Sequence, residues 1–294
     1  MEKELLKLIL DYVFKRTFSE ISRPNGLIFL LQAVLRVDIT GFKLVHPEVP
    51  RETPQSKTVI YDISVELDDK TRVDIEMQPY FKKEYIDRMF YYGTRLMHVK
   101  RGDDYFTLNK GAVIVFVNDP DHFFPYAISA YVQGEWTGDL RHILTEKLIY
   151  YFIAMDRINE IEVNEENKNI ILLLKFITCT RREEMEILAQ QNEGLKEVFQ
   201  VLVEMSQNPD ELAMADARDK FLWDLEVRMK VERKEGREEG REEGREEGIE
   251  IGEQRGIEIG EKKGAIQAAK AMIEAGFDIE TICKATGLSL EDLT

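Results

Sequence analysis

Two strand-like runs joined by three polar residues constrain this chain more than any other feature. TVIYDISVEL (58–67) and TRVDIEMQ (71–78) alternate apolar and polar residues, and Asp68-Asp69-Lys70 between them is a hairpin signal. Successive strand residues point to opposite faces. Arg72, Asp74, Glu76 and Gln78 therefore share one face, with Val73, Ile75 and Met77 on the other. In the first run Tyr61, Ile63, Val65 and Leu67 are apolar, opposite Asp62, Ser64 and Glu66. A three-residue loop sets Leu67 across from Thr71, so Ile63 meets Ile75, Val65 meets Val73 and Tyr61 meets Met77. A two-residue loop would set Asp62 across from Met77 and mix the faces, so apolar matching selects the register. Asp62 then faces Glu76, Ser64 faces Asp74 and Glu66 faces Arg72.

Directly opposed strand residues have Cβ atoms about 4.5–5.5 Å apart, and like charges so placed destabilise a hairpin. A raised pKa, a basic side chain or a divalent cation resolves the conflict. Carboxylate oxygens, a backbone carbonyl and retained waters suit Mg²⁺. A solvated acidic face produces the same pattern, so spacing alone leaves both readings open.

Around the hairpin, residues 3–20 carry Leu5, Leu6, Ile9, Leu10, Val13, Phe14 and Phe18 at helical spacing. SRPNG (22–26) is a break, 27–35 reads as a second helix, and the proline-rich 46–55 as a loop. Residues 82–102 read as a helix ending at Gly102, and GAVIVFVND (111–119) as a buried strand. This order describes an α/β core over residues 1–120. In 121–230, AISAYVQGEW suggests a strand and turn, while 137–157 and 165–230 read as mostly helical.

Charge is unevenly spread. The net charge is −16, yet residues 1–118 carry 18 Lys and Arg against 17 Asp and Glu. The acidity belongs to the second half, so the first half can still meet an anionic ligand such as DNA. Two cysteines without ligand spacing, Cys179 and Cys283, argue for a reducing cytoplasm and against zinc. The histidines His46, His98, His122 and His142 are scattered. No apolar run approaches the roughly 18 residues of a membrane span, and the first residues lack a secretory cleavage site, so no membrane role is expected.

Residues 231–264 form a low-complexity repeat with Gly at 236, 240, 244, 248, 252, 256, 260 and 264. Each Gly costs a helix about 0.8–1 kcal/mol relative to Ala, while Glu–Arg pairs return a few tenths each. A charged, partly helical linker and an oligomerising helix both fit, and a homo-oligomer is expected from the second. In 265–294, Gly276 suits a helix stop, Asp278 an N-cap, Gly287 a second stop, and Ser289 with Asp292 a capping box. Helix-turn-helix units and docking segments both look like this. Two lysines and no arginine argue against sequence-specific DNA reading.

Asp62 followed at strand spacing by Glu76-Met77-Gln78 resembles the PD-(D/E)XK nuclease superfamily. DYVFKRTF, DISVELDDKTRVDIEMQ, RMFYYGTRL and the Gly-Glu-Arg tetrads narrow the resemblance to nuclease-family transposases, the recombination-promoting nucleases of bacteria. It covers roughly residues 5–230, plus the style of the tail. The resemblance implies a restriction-endonuclease-like mixed sheet flanked by helices, with a helical C-terminal half. It also implies Mg²⁺, with Mn²⁺ as an alternative, and DNA phosphodiester hydrolysis. Asp62 and Glu76 would be the metal-binding acids, the Met77 carbonyl a further ligand, and Gln78 would stand at the motif's lysine. Asp11 on the first helix is a candidate additional ligand, and Asp74 shares the strand face. Tyr61 replaces the motif proline, harmlessly because it sits on the apolar face. Gln78 can only hydrogen-bond, so positive charge must come from neighbours. Lys82, Lys83, Arg88 and Arg95 are candidates for contacting nucleic acid, with Arg88, Tyr92 and Arg95 on one helical face.

The leading expectation is a Mg²⁺-dependent DNA endonuclease acting in recombination or mobile-element transfer. The alternative is a catalytically weak or inactive nuclease-fold scaffold that binds DNA or oligomerises. A protein–protein regulator built on a relic fold is the third.

Overall fold

The computed structural model describes residues 4–49, 59–97, 104, 108–134, 143–289 and 292. Residues 1–224 and 225–294 form two compact units. The first is built on a six-stranded sheet in the order β1-β4-β5-β6-β8-β7. Its strands are β1 (Phe42–Leu44), β4 (Ile63–Leu67), β5 (Arg72–Gln78), β6 (Gly111–Val117), β7 (Ile128–Gly134) and β8 (Ile143–Ala154). A separate short ladder joins β2 (Glu48–Val49) to β3 (Val59–Ile60).

The hairpin register is the one that apolar matching selects. Ile63 pairs with Ile75, Ser64 with Asp74, Val65 with Val73 and Glu66 with Arg72. Lys70 closes the turn with a left-handed φ of 67°. β5 then pairs in parallel with β6, and β6 in parallel with β8. The β5-to-β6 crossover carries α3 (Glu84–Leu96), as parallel neighbours require. β6 is buried at all seven positions, matching its continuous apolar run.

The sheet separates two cores. Ile63, Val65, Val73, Ile75 and Met77 pack with α1 (Asp11–Phe18), α2 (Asn25–Leu35), α4 (Lys168–Thr178) and α6 (Glu193–Met205). On the other face Val113, Val115, Tyr150 and Phe152 pack with Met89 and Leu96 of α3. Asp74 and Glu76 lie in register with Val113 and Val115, which places both acids on the α3 face.

Several expectations need correction. The first helix spans Asp11–Phe18, not 3–20. Leu6, Leu8 and Leu10 are buried while Lys7 is exposed and Ile9 half-buried, and the chain turns at 8–10, where the Leu10 N–H donates to Lys7 O (3.2 Å). The Leu6 N–H donates to Ser206 Oγ (3.0 Å), anchoring that segment. α3 ends at Leu96; the expected stop at Gly102 lies outside the described residues. The proline-rich loop holds β2, with its remainder from Pro50 outside the described residues. Residues 143–154 are a strand, not a helix, rich in β-branched and aromatic residues that favour a sheet. Helices do fill most of 165–230, adding α5 (Arg182–Ala189) and the start of α7 (Pro209–Glu274).

The Gly repeat is continuous helix within α7, and nothing stands within 4 Å of where a Cβ would sit on any of its glycines. In the second unit Gly276 (φ 86°) ends the helical run and Asp278 caps α8 (Ile279–Thr286) by accepting from the Thr281 N–H (2.9 Å). Gly287 (φ 70°) stops α8, and Ser289 donates to Asp292 (2.7 Å). Ala269, Ile282 and Leu288 form its small core. No described helix is long and apolar enough to cross a membrane.

Candidate functional site

The hairpin ladder stops at Ile63, because the chain bends at Tyr61–Asp62. The Tyr61 N–H donates to Pro47 O (3.0 Å) instead of continuing along β5. Tyr61 consequently leaves the apolar face expected for it and packs under α3. Its ring meets Tyr92 edge-on at 5.6 Å, and its hydroxyl donates to Tyr92 O (3.1 Å).

The bend brings Asp62 and Glu76 together through main-chain groups. The Asp62 N–H donates to Glu76 Oε1 (3.1 Å), and the Met77 N–H donates to Asp62 Oδ2 (3.1 Å). An Asp62 carboxylate thus replaces the ladder acceptor that a longer β4 would have offered. N–H and C=O of one strand residue point to the same side, so the Met77 carbonyl also points toward Asp62. Gln78 Nε2 donates to Glu76 Oε2 (3.0 Å). Asp62, Glu76, Met77 and Gln78 are therefore gathered at one end of the hairpin.

Electrostatically the cluster is under stress. Burial, and then the charge of Asp62, push Glu76 up to about 8. Burial is also the largest influence on Asp62, pushed up to about 6, with the Met77 N–H, Lys15 and Arg88 opposing it and Asp11 adding to it. Asp74 is fully buried, and its carboxyl meets no N–H donor, only the Glu76 carboxyl, with which it can share a proton. Burial, then the charges of Glu76 and Asp62, raise its pKa far above the carboxylate range. A buried carboxylate without a donor is costly unless it is neutral or meets a cation.

Arg88 opposes the shift at all three acids. Its guanidinium lies 4.7 Å from the Tyr85 ring centroid and 5.7 Å from that of Tyr92. The face of α3 that carries Arg88 and Tyr92 thus covers the acidic cluster. Arg95 acts on Tyr61 from the same helix. Lys82 and Lys83 sit at the start of α3, where their carbonyls accept from Tyr85 and Ile86. Asp11 is gripped by Arg218 through Nε (2.7 Å) and Nη2, a two-pronged pair.

Sequence reasoning missed Lys15, whose Nζ donates to Tyr61 O (3.4 Å). Its four-residue spacing from Asp11 was the available signal, since both fall on one face of α1. Arg218 carried no such signal, being more than 200 residues from its partner.

The donor set suits a hard divalent cation: carboxylate oxygens, a carbonyl oxygen and a buried acid without an N–H donor. Among the described residues no three Asp, Glu, His or Cys side chains converge as a ready metal cluster. The fit therefore rests on Asp62, Glu76 and main-chain oxygen.

Residues 8–232 match the family described as PD-(D/E)XK nuclease family transposase. Residues 262–294 match the C-terminal HTH domain of the Rpn/YhgA-like nuclease family, which places a helix-turn-helix in the segment where both that and a docking role were open. No curated protein and no solved structure matches the chain. A mixed sheet flanked by helices, the acid-bearing hairpin within it and a match over most of the chain agree: this chain belongs to the PD-(D/E)XK nuclease family transposases.

Proposed function

We propose that the chain is a divalent-cation-dependent DNA endonuclease, hydrolysing phosphodiester bonds and so promoting recombination or mobile-element transfer. One observation carries the reading: Asp62 and Glu76 interlock at the bend of β4 with both pKa values raised. Such a pair is relieved by a cation.

Asp62, Glu76 and the Met77 carbonyl would hold Mg²⁺, or Mn²⁺ in its place. When bound, the ion would activate a water and offset charge on the phosphate. Gln78 aligns the attacking water through its amide and contributes no charge. Arg88, beside all three acids, supplies positive charge toward the phosphate, and Lys15 adds to it from α1. Asp11, held by Arg218, acts on the site through its charge. Arg95 near the end of α3, and Lys82 and Lys83 just before its start, contact the DNA backbone. Solvent or a phosphate oxygen takes the water's proton, with no side chain assigned to that step. The helix-turn-helix of 262–294 contacts DNA, and the Gly-bearing part of α7 associates with another copy.

A second reading is favoured by the Gln78 amide being tied to Glu76 Oε2. In it the chain is a weak or inactive nuclease-fold scaffold that binds DNA and oligomerises. Incubating supercoiled plasmid with the native chain separates the two. The endonuclease reading requires nicked or linear product with Mg²⁺ and none with EDTA. Intact plasmid with measurable DNA binding supports the scaffold.

A further inference from the structure

On the α3 face of the sheet, away from the acids, lies an open cleft of about 550 Å³, within the roughly 300–1,000 Å³ of ligand sites. α3 contacts the sheet through Met89, Gly93 and Leu96, with a Cβ at Gly93 meeting the Tyr150 hydroxyl at 2.4 Å. At 3.6 residues per turn, Ile86 and Phe90 fall on one flank of this contact and Arg88, Tyr92 and Arg95 on the other. The second flank covers the acidic cluster. The first forms a wall of the cleft, whose far side is the edge strand β7.

The walls are rings. Phe90 stacks on Tyr150 (5.7 Å, 17°) and Phe124 on Phe152 (4.6 Å, 21°), with Tyr131 edge-on to Phe152. Phe90 is 57% and Tyr131 42% exposed, an unusual outlay of aromatic surface. The register of β7 against β8 shifts between Tyr131 and Gln133, and such irregularities re-aim side chains. Gln133 lines the cleft, and its Oε1 is buried with no hydrogen-bond partner among the described residues. An orphaned amide acceptor among aromatic walls calls for a flat group with an N–H on its edge.

The geometry points to this cleft as a site for one unpaired nucleobase of the DNA substrate. Every base carries an N–H on its Watson–Crick edge, committed to the partner strand in a duplex and free once the base is unpaired or extruded. An apolar helix would bring no such donor, since its own N–H groups are used internally. Stacking on aromatic rings accepts any base and so needs no sequence. The inference rests on the nucleic-acid substrate proposed above. It adds that one strand is read at an unpaired base two strands over from β5.

The test is binding of the full chain in EDTA, where cleavage plays no part. Three short duplexes are compared: fully paired with an internal 2-aminopurine, the same with that base as a one-nucleotide bulge, and an abasic bulge. The bulged base should bind about tenfold tighter than either control, with its fluorescence quenched by stacking. Phe90→Ala and Tyr131→Ala, both at exposed rings, should erase the preference. Gln133→Leu, which keeps the side chain's bulk, should weaken it several-fold, with melting temperatures confirming the folds. Equal affinity for the three duplexes overturns the inference, as does a preference that survives Phe90→Ala and Gln133→Leu in folded protein. A cleft-bound anilinonaphthalene dye that the bulged duplex fails to displace also overturns it, marking some other occupant. Plasmid cleavage with no bulge preference leaves the endonuclease reading standing and removes this one. Bulge preference without cleavage does the reverse.

Discussion

At residue scale, the bend at Asp62 sets the geometry of the proposed site. Had β4 continued, Tyr61 would have paired with Met77 and the acids would have stood as an ordinary opposed pair. Instead the Asp62 side chain accepts the Met77 N–H, and Glu76 accepts that of Asp62. The raised values, about 6 for Asp62 and about 8 for Glu76, set a sign for stability. A carboxyl raised by folding binds more protons native than unfolded, so its contribution is full below the unfolded pKa near 4 and is lost as pH rises through the folded one. Thermal melting without divalent ions should therefore show stability falling between about pH 5 and pH 8, less steeply in Glu76→Gln. Because a cation needs the ionised acids, cleavage should rise with pH over the same window. Arg88→Met, which removes the cation that opposes the shift at all three acids, should shift that rise to higher pH in a rate–pH profile. An unshifted profile would show that Arg88 does not act on them.

At the scale of elements, the register was legible and the faces were not wholly so. Apolar matching placed Ile63 on Ile75 and Val65 on Val73, since a one-residue slip would set apolar side chains against Asp74 and Glu76 and mix the two faces. The reversal of Tyr61 was invisible, because it depends on Pro47 accepting its N–H. The strand β8 looked helical for a related reason: a short apolar stretch between charged residues satisfies both periods, and only its place beside β6 decides. The partnership of Asp11 with Arg218 joins distant segments that no local pattern links.

Glycine shows the same contrast between packed and open helices. A Cβ at Gly194 on α6 would meet Asn25 O at 2.3 Å, so α2 and α6 approach backbone to backbone there. Gly194→Ala should destabilise the first unit by about 1–3 kcal/mol in denaturant titration. Gly244→Ala on α7, with open space around it, should stabilise its helix by up to about 1 kcal/mol, read as increased helicity by circular dichroism.

For the whole molecule, the chain combines a nuclease-family domain with a C-terminal helix-turn-helix. Its acidic balance argues against non-specific DNA binding by net charge alone, so in the proposed function local groups on α3 and the C-terminal domain supply the contacts. A chain truncated before Lys234 should show two losses: a lower mass by light scattering, and weaker DNA binding with a shallower salt dependence. Unchanged mass would remove the tail from self-association, and unchanged binding would remove the helix-turn-helix from DNA contact.

The proposed endonuclease activity depends on Asp62 and Glu76 as the acids that cut DNA. The most direct measurement is the rate of supercoiled plasmid nicking in Mg²⁺ by the native chain, Asp62→Ala and Glu76→Ala, each checked for folding by its melting curve. Nicking by the native chain that EDTA abolishes is expected, with a loss of at least about a hundredfold in each variant. Variants that stay folded and nick as fast as the native chain, or a native chain that leaves the plasmid intact, would contradict the proposal.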